Sequence, residues 1–338
     1  MDAWVGRIST DGAAADDGRR DPPDAGRVST TVPPVSPDQA PSPDPSVLPP
    51  IREADAGPRP RRKKRERRQA PRPARRTDLA SPNAQAVYRR VMETLKDAGL
   101  PFLVGGAYAF TPFTGIPRST KDFDLFVAKT DIHRALEILA DAGFRTELTF
   151  PHWLGKAFKG KEFVDLIFSS GNGVAPVDEG WFAHAPSGQV LGVPVLLAPA
   201  EEMLWSKAFV MERERYDGGD VVHLLRARAE KLDWKRVLDR FGQNWRVLLS
   251  CLVLFGFVYP GERTRVPSWV MGELLERLRA ELTRDADVGR LCQGTIISRQ
   301  QYLPDVLEWG YVDGRQQPHG NMSAEEIADW TRAITEKK

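Results

Sequence analysis

Fourteen of the 27 prolines of this 338-residue chain fall before Thr77, and this confines any packed fold to the residues beyond that point. The proline-rich segment holds the run Pro-Pro-Val-Ser-Pro-Asp-Gln-Ala-Pro-Ser-Pro-Asp-Pro from Pro33 and the run Arg-Arg-Lys-Lys-Arg-Glu-Arg-Arg from Arg61. With no apolar periodicity, it cannot bury enough surface to offset its chain entropy. A disordered tail over 1–80 is expected, followed by a catalytic domain over 81–198 and a helical domain over 199–338.

The net charge of +2 conceals three blocks. Met1 to Gly57 carries 5 basic and 10 acidic residues, and Pro58 to Arg76 carries 11 basic and one acidic, so the remainder sits near −3. The folded part therefore has no electrostatic footprint for nucleic acid. The basic cluster 58–76 could contact phosphates by counterion release, or could be a solvated linker. Cys251 and Cys292 form neither a disulfide framework nor a zinc spacing. The most apolar stretch, Val247 to Val258, is shorter than the roughly 20 residues that span a bilayer, and the N-terminus lacks a signal-peptide core. The expectation is a cytoplasmic protein with no membrane partner.

Ser81-Pro82 starts a helix whose Ala84, Val87, Val91, Leu95 and Ala98 recur at helical spacing. Phe102 to Val104 reads as a buried strand turning at Gly105-Gly106 into a short helix, Ala107 to Phe110, and then a loop with Pro112, Gly115 and Pro117. Phe123 to Val127 is a second strand, and Ile132 to Leu139 an amphipathic helix ended by Gly143. Phe144 to Phe150, Trp153 to Lys159, Glu162 to Phe168 and Val190 to Leu197 read as further strands, one each. From Glu201 to Arg215 onward the pattern is helical, through Asp220 to Glu230, Asp233 to Phe241, Asn244 to Phe257, Trp269 to Thr283 and Ser323 to Thr335. The fold class is α/β or α+β, a mixed sheet with flanking helices and a mostly helical C-terminal part.

Asp122 and Asp124, two apart on a strand, project to one face. Paired carboxylates are tolerable chiefly beside a divalent cation or a basic partner, and hard oxygen ligands suit Mg²⁺ or Mn²⁺. Asp165, inside the apolar run Phe163 to Phe168, is costly unless paired or metal-bound and makes a third acid. Gly105 and Gly106 let backbone approach a phosphate at a helix start.

The order Gly-Gly, then Arg-x-Thr-x-Asp-x-Asp, then a lone strand Asp resembles the DNA polymerase β-like nucleotidyltransferase superfamily. It looks most like the bacterial branch that includes AbiEii-type and MenA-type toxins. The resemblance spans roughly Leu100 to Leu225. It implies transfer of a nucleotide from an NTP to RNA, protein or a small molecule, with Asp122, Asp124 and Asp165 as metal ligands and catalytic acids. It further implies nucleotide-binding roles for Gly105, Gly106, Arg118, Thr120, Lys207 and Asp220, and a cognate partner protein if the chain is toxin-like. Tyr216-Asp217 stands where the branch usually has Lys-Asp, which puts the role of Asp217 in doubt.

Blander readings stand beside these. Gly105-Gly106 suits an ordinary turn, Asp165 an edge gatekeeper, Lys207 a snorkelling side chain, and Arg118 and Thr120 the turn itself. The chief functional alternative is a catalytically silent NTP-binding sensor or regulatory module.

Overall fold

The computed structural model describes residues 80–118, 120, 122–283 and 289–335. Apart from Ala80, the expected disordered tail with its basic cluster 58–76 lies outside them. Ser81 caps α1 (Pro82–Asp97) by accepting from the Ala84 N–H, as the Ser-Pro start predicts. Next come β1 (Leu103–Val104), α2 (Gly106–Thr114), β2 (Asp124–Phe126), α3 (Ile132–Asp141), β3 (Arg145–Phe150), β4 (Leu154–Lys159) and β5 (Glu162–Ile167). After α4 (Glu179–Ala183), β6 (Ser187–Val190) and β7 (Val193–Leu197) complete a seven-stranded mixed sheet of order β3-β4-β5-β2-β1-β7-β6.

The chain then turns helical, through α5 (Ala200–Ala208), α6 (Gly218–Arg228), α7 (Trp234–Phe241), α8 (Trp245–Val258) and α9 (Ser268–Leu282). A two-stranded ribbon pairs β8 (Leu291–Cys292) with β9 (Val312–Asp313) around α10 (Gly294–Ile297) and α11 (Leu303–Leu307), and α12 (Ala324–Thr335) ends the described chain. The expected parts 81–198 and 199–338 share one hydrophobic core that runs from Ala84 to Ile296.

Three expectations about elements are corrected. The helix after Gly106 runs through Pro112 to Thr114, stopping only at Gly115 in the left-handed region. Val190 to Leu197 is a hairpin, because Leu191 (φ 51) and Gly192 (φ 84) form a two-residue turn with both φ positive, and Val190 pairs with Val193. The helix from Glu201 ends at Ala208, and residues after it fold back so that Met211 bridges Tyr216. Met-Glu-Arg-Glu-Arg-Tyr-Asp from Met211 has no apolar helical face to continue it.

The sequence expectation of no bilayer-spanning segment rested on Val247 to Val258 alone. The helical run Trp234–Val258 reaches 25 residues with mean hydropathy 1.4, which meets the length and composition of a membrane span. It breaks at Gly242 (φ +45), and Val237, Phe241, Leu248 and Phe255 from both halves are buried in the core. The run is built as two packed helices.

Alternation along β2 decides what faces what. Phe123, Leu125 and Val127 are fully buried, and Phe123 stacks on Tyr88 of α1 at 4.4 Å and meets Tyr108 of α2 edge-on at 4.9 Å. Asp124 and Phe126 point to the opposite face, so the aromatic cluster fixes the orientation of the acid. Phe123→Ala is expected to cost about 3–5 kcal/mol, read as a lower denaturant midpoint at unchanged slope.

Candidate active site

Strand register assembles one row of functional groups across the sheet. Lys156 of β4 is opposite Asp165 of β5, Asp165 is opposite Asp124 of β2, and the Gly105 N–H donates to the Asp124 carbonyl at 2.9 Å. By strand alternation the side chains of Lys156, Asp165 and Asp124 share one face. Asp122 lies just before β2 and is exposed. Its backbone is held by Thr120, whose Oγ1 accepts from the Asp122 N–H at 3.0 Å and donates to the Asp122 carbonyl at 3.1 Å. Thr120 thus holds the turn that carries the first acid.

The glycine pair is fitted to this row. A Cβ on Gly106 would lie 1.9 Å from Asp124 Oδ2, and one on Gly105 would lie 2.1 Å from the Phe126 ring. Gly106 also has φ +51, a conformation that side chains disfavour. Gly105 is the N-cap of α2 with no side-chain capping bond, so the helix start presents uncapped N–H groups beside the acids.

A second cluster faces the row from α5 and α6. Lys207 Nζ contacts Asp217 Oδ2 at 2.8 Å and Asp220 Oδ2 at 3.0 Å. Arg215 Nη2 reaches Asp217 at 3.1 Å, and Arg118 pairs with Asp220 while lying 5.3 Å from the Phe110 ring centroid. Lys207 is only 18% exposed at its side chain with two carboxylate partners, which is not how a snorkelling lysine sits. Asp217, whose role the neighbouring Tyr216 put in doubt, is a member of this cluster. Burial pushes the Asp217 carboxyl up, but hydrogen bonds and charge from Arg215 and Lys207 outweigh it and hold it below the usual carboxylate range.

The two inward acids titrate differently from free carboxylates. Asp124 is pushed up from 3.8 to about 6, first by burial and then by the charges of Asp165 and Asp122, with Lys207 and Arg215 opposing. Asp165 is also raised, mainly by burial, against the hydrogen bond and charge of Lys156. The short Lys156–Asp165 pair does not fully repay the desolvation of the carboxylate. Among the described residues no three His, Cys, Asp or Glu side chains converge as a set that could hold a metal ion. The donor chemistry of Asp122 and Asp124 still suits a hard divalent cation, since the ionised Asp124 lacks sufficient positive charge nearby. Asp165 is engaged by Lys156 instead.

Every acid, glycine and base named from the sequence therefore falls in this region, in two groups joined by electrostatic contact between Asp124 and Lys207. Asp217 was a candidate whose role stood in doubt, and Lys156 was not among the candidates. Lys156 was within reach of counting: the hairpin turns at Gly160 and Lys161, and equal steps back from that turn put 156 opposite 165.

No known family model matches this sequence, and no curated protein matches it. Solved structures similar to it include an antigenic nucleotidyltransferase-like protein from Paracoccidioides brasiliensis, at 16% identity and TM-score 0.39, covering 55% of this chain and 93% of that one. JHP933 from Helicobacter pylori is similar at 13% identity and TM-score 0.33, covering 59% and 95%. The antibiotic-resistance factor ANT(2'')-Ia is similar at 15% identity and TM-score 0.31, covering 59% and 95%. At these scores the likeness is loose and assigns no activity.

Proposed function

We propose that the chain is a metal-dependent nucleotidyltransferase that moves an NMP from an NTP to a hydroxyl acceptor and releases pyrophosphate. The observation that carries this reading is the row Lys156, Asp165, Asp124 and Gly105-Gly106, in which a buried, under-compensated carboxylate sits against a side-chain-free helix start. The residues 81–198 would form the catalytic part, and 199–338 would supply Lys207 and Asp220.

In this reading the acceptor oxygen bonds to the α-phosphorus while the bond from that phosphorus to its bridging oxygen breaks, and pyrophosphate leaves. The acceptor proton passes to Asp165, whose carboxylate Lys156 keeps in place. Asp122 and Asp124 would hold Mg²⁺ or Mn²⁺, which supplies positive charge where the phosphoryl oxygens gain negative charge. Lys207 would exchange its partners Asp217 and Asp220 for the β- and γ-phosphates, with the α2 N-terminus and Gly106 cradling them. Arg118 and Thr120 would keep the loop before β2 in register. The acceptor class, RNA, protein or small molecule, and the toxin-like branch with its cognate partner are proposals that rest on the ordered motif.

A catalytically silent NTP-binding module is the second reading. It is favoured by one observation: Lys207 and Asp165 are both occupied by partners within the chain, and among the described residues no three His, Cys, Asp or Glu side chains form a set that could hold a metal ion. Pyrophosphate release separates the two. The enzyme reading expects release that needs an NTP and a divalent cation and falls at least about 100-fold in Lys207→Ala. NTP binding with no release in the wild type under any acceptor mixture would favour the silent module.

Lys156→Met is expected to move the acidic limb of the pH–activity profile upward, because the one charge that opposes the raised Asp165 is gone. An unshifted limb with reduced rate would make Lys156 a packing residue only.

A further inference from the structure

The loop between α5 and α6 carries an arginine that has no part in the chemistry above. Arg215 donates from Nε and Nη2 to Asp217 at 3.2 and 3.1 Å, and its Nη1 has no acceptor among the described residues. Its side chain is 69% exposed, against 18% for Lys207, which shares Asp217 with it. A side chain this open leaves its remaining N–H groups within reach of a ligand. Hydrogen bonding to Asp217 holds the proton on Arg215 most strongly, and the charges of Asp124 and Asp122 act in the same direction, so the guanidinium lies within electrostatic reach of the acid pair.

The loop itself is pinned at its base. Met211 bridges Tyr216, the Met211 N–H donates to the Ile297 carbonyl at 3.0 Å, and the Asp217 N–H donates to the Val210 carbonyl at 3.0 Å. Glu212 accepts from Ser298 Oγ at 2.7 Å and from the Arg299 N–H at 3.2 Å, which ties the loop to the segment after α10. The Asp217 carboxylate, only 11% exposed, then fixes one edge of the guanidinium. An arginine anchored by one edge has already lost much of the freedom that ligand binding would otherwise cost it. The donors that remain match phosphate oxygens, with which guanidinium forks pair.

We propose that Arg215 binds the triphosphate of the NTP directly, through the edge that Asp217 leaves open, and stays on the pyrophosphate as it departs. This rests on the nucleotidyltransferase reading of the site. Lys207 has to exchange two carboxylates for phosphate, whereas Arg215 can take phosphate without giving up Asp217. Its hold also keeps the mostly buried Asp217 compensated when Lys207 turns away. Asp217 is then the anchor from which both cations reach the substrate.

The test is isothermal titration of the full chain, in Mg²⁺, with the α,β-methylene analogue of each NTP, in which the bond that would break is blocked. The wild type is expected to bind at least one analogue, and Arg215→Gln to bind it at least about tenfold more weakly, as for loss of a charge-assisted contact. A purely structural Arg215 would act only by neutralising Asp217, which without it would hold Lys207 more tightly. In that case Arg215→Gln/Asp217→Asn regains wild-type affinity, whereas direct contact keeps the double variant at least as weak as Arg215→Gln. Affinity unchanged in Arg215→Gln, or regained in the double variant, overturns the proposal and leaves the NTP reading standing. Failure of every analogue to bind the wild type overturns that reading, and the role of Arg215 with it.

Discussion

Asp124→Asn is expected to abolish nucleotide transfer while making the protein more stable at neutral pH. Burial and two neighbouring acids raise the Asp124 carboxyl from 3.8 to about 6. Between those values the folded state holds a proton that the unfolded chain has released, so stability falls as pH rises through that window. Above about 6 the penalty is constant, and a shift of about two units corresponds to roughly 3 kcal/mol. Asparagine has nearly the same shape and no charge, so the gain should be absent near pH 4 and complete by pH 7. Denaturant unfolding of the two proteins at both pH values checks the sign. An Asp124→Asn protein less stable than wild type at pH 7.5 would mean that the carboxylate is well compensated, contrary to the electrostatics of the row. Transfer should drop by at least about 100-fold, as for loss of one preorganised charge at a reacting phosphate.

Gly106→Ala is expected to have an effect of similar size on activity by a steric route. The added Cβ would stand 1.9 Å from Asp124 Oδ2, and the residue would keep a φ of +51. Left-handed backbone costs a non-glycine residue about 1–2 kcal/mol, and the carboxylate must also move off its position. Gly160→Ala supplies the control, since Gly160 has φ +62 with nothing within 4 Å of its would-be Cβ. Both variants should lose comparable backbone stability, but only Gly106→Ala should lose activity. Equal activity in the two would show that the glycine serves the turn alone.

The parts of this architecture that were legible in the sequence share one property: their determinants are local. Alternation through Phe123, Leu125 and Val127 marked the strand and the face of its acids, and Ser81-Pro82 marked the first helix start. The Gly160 turn fixed the β4–β5 hairpin, although its consequence for Lys156 needed the register to be counted. What escaped depended on tertiary closure. The helix through Pro112 defies the local rule for proline, and Leu191 takes a positive φ that its side chain disfavours. Asp217 was named with its role in doubt, and its pairing with Lys207 depends on the fold-back in which Met211 bridges Tyr216.

Incubation of the purified protein with each α-labelled NTP, Mg²⁺ or Mn²⁺, and cellular RNA or protein, beside the Asp122→Ala/Asp124→Ala double variant, tests the central claim most directly. The predicted result is label in a macromolecule or small acceptor with the wild type and none with the double variant. Absence of transfer from every NTP, with NTP binding unchanged between the two proteins, would contradict it.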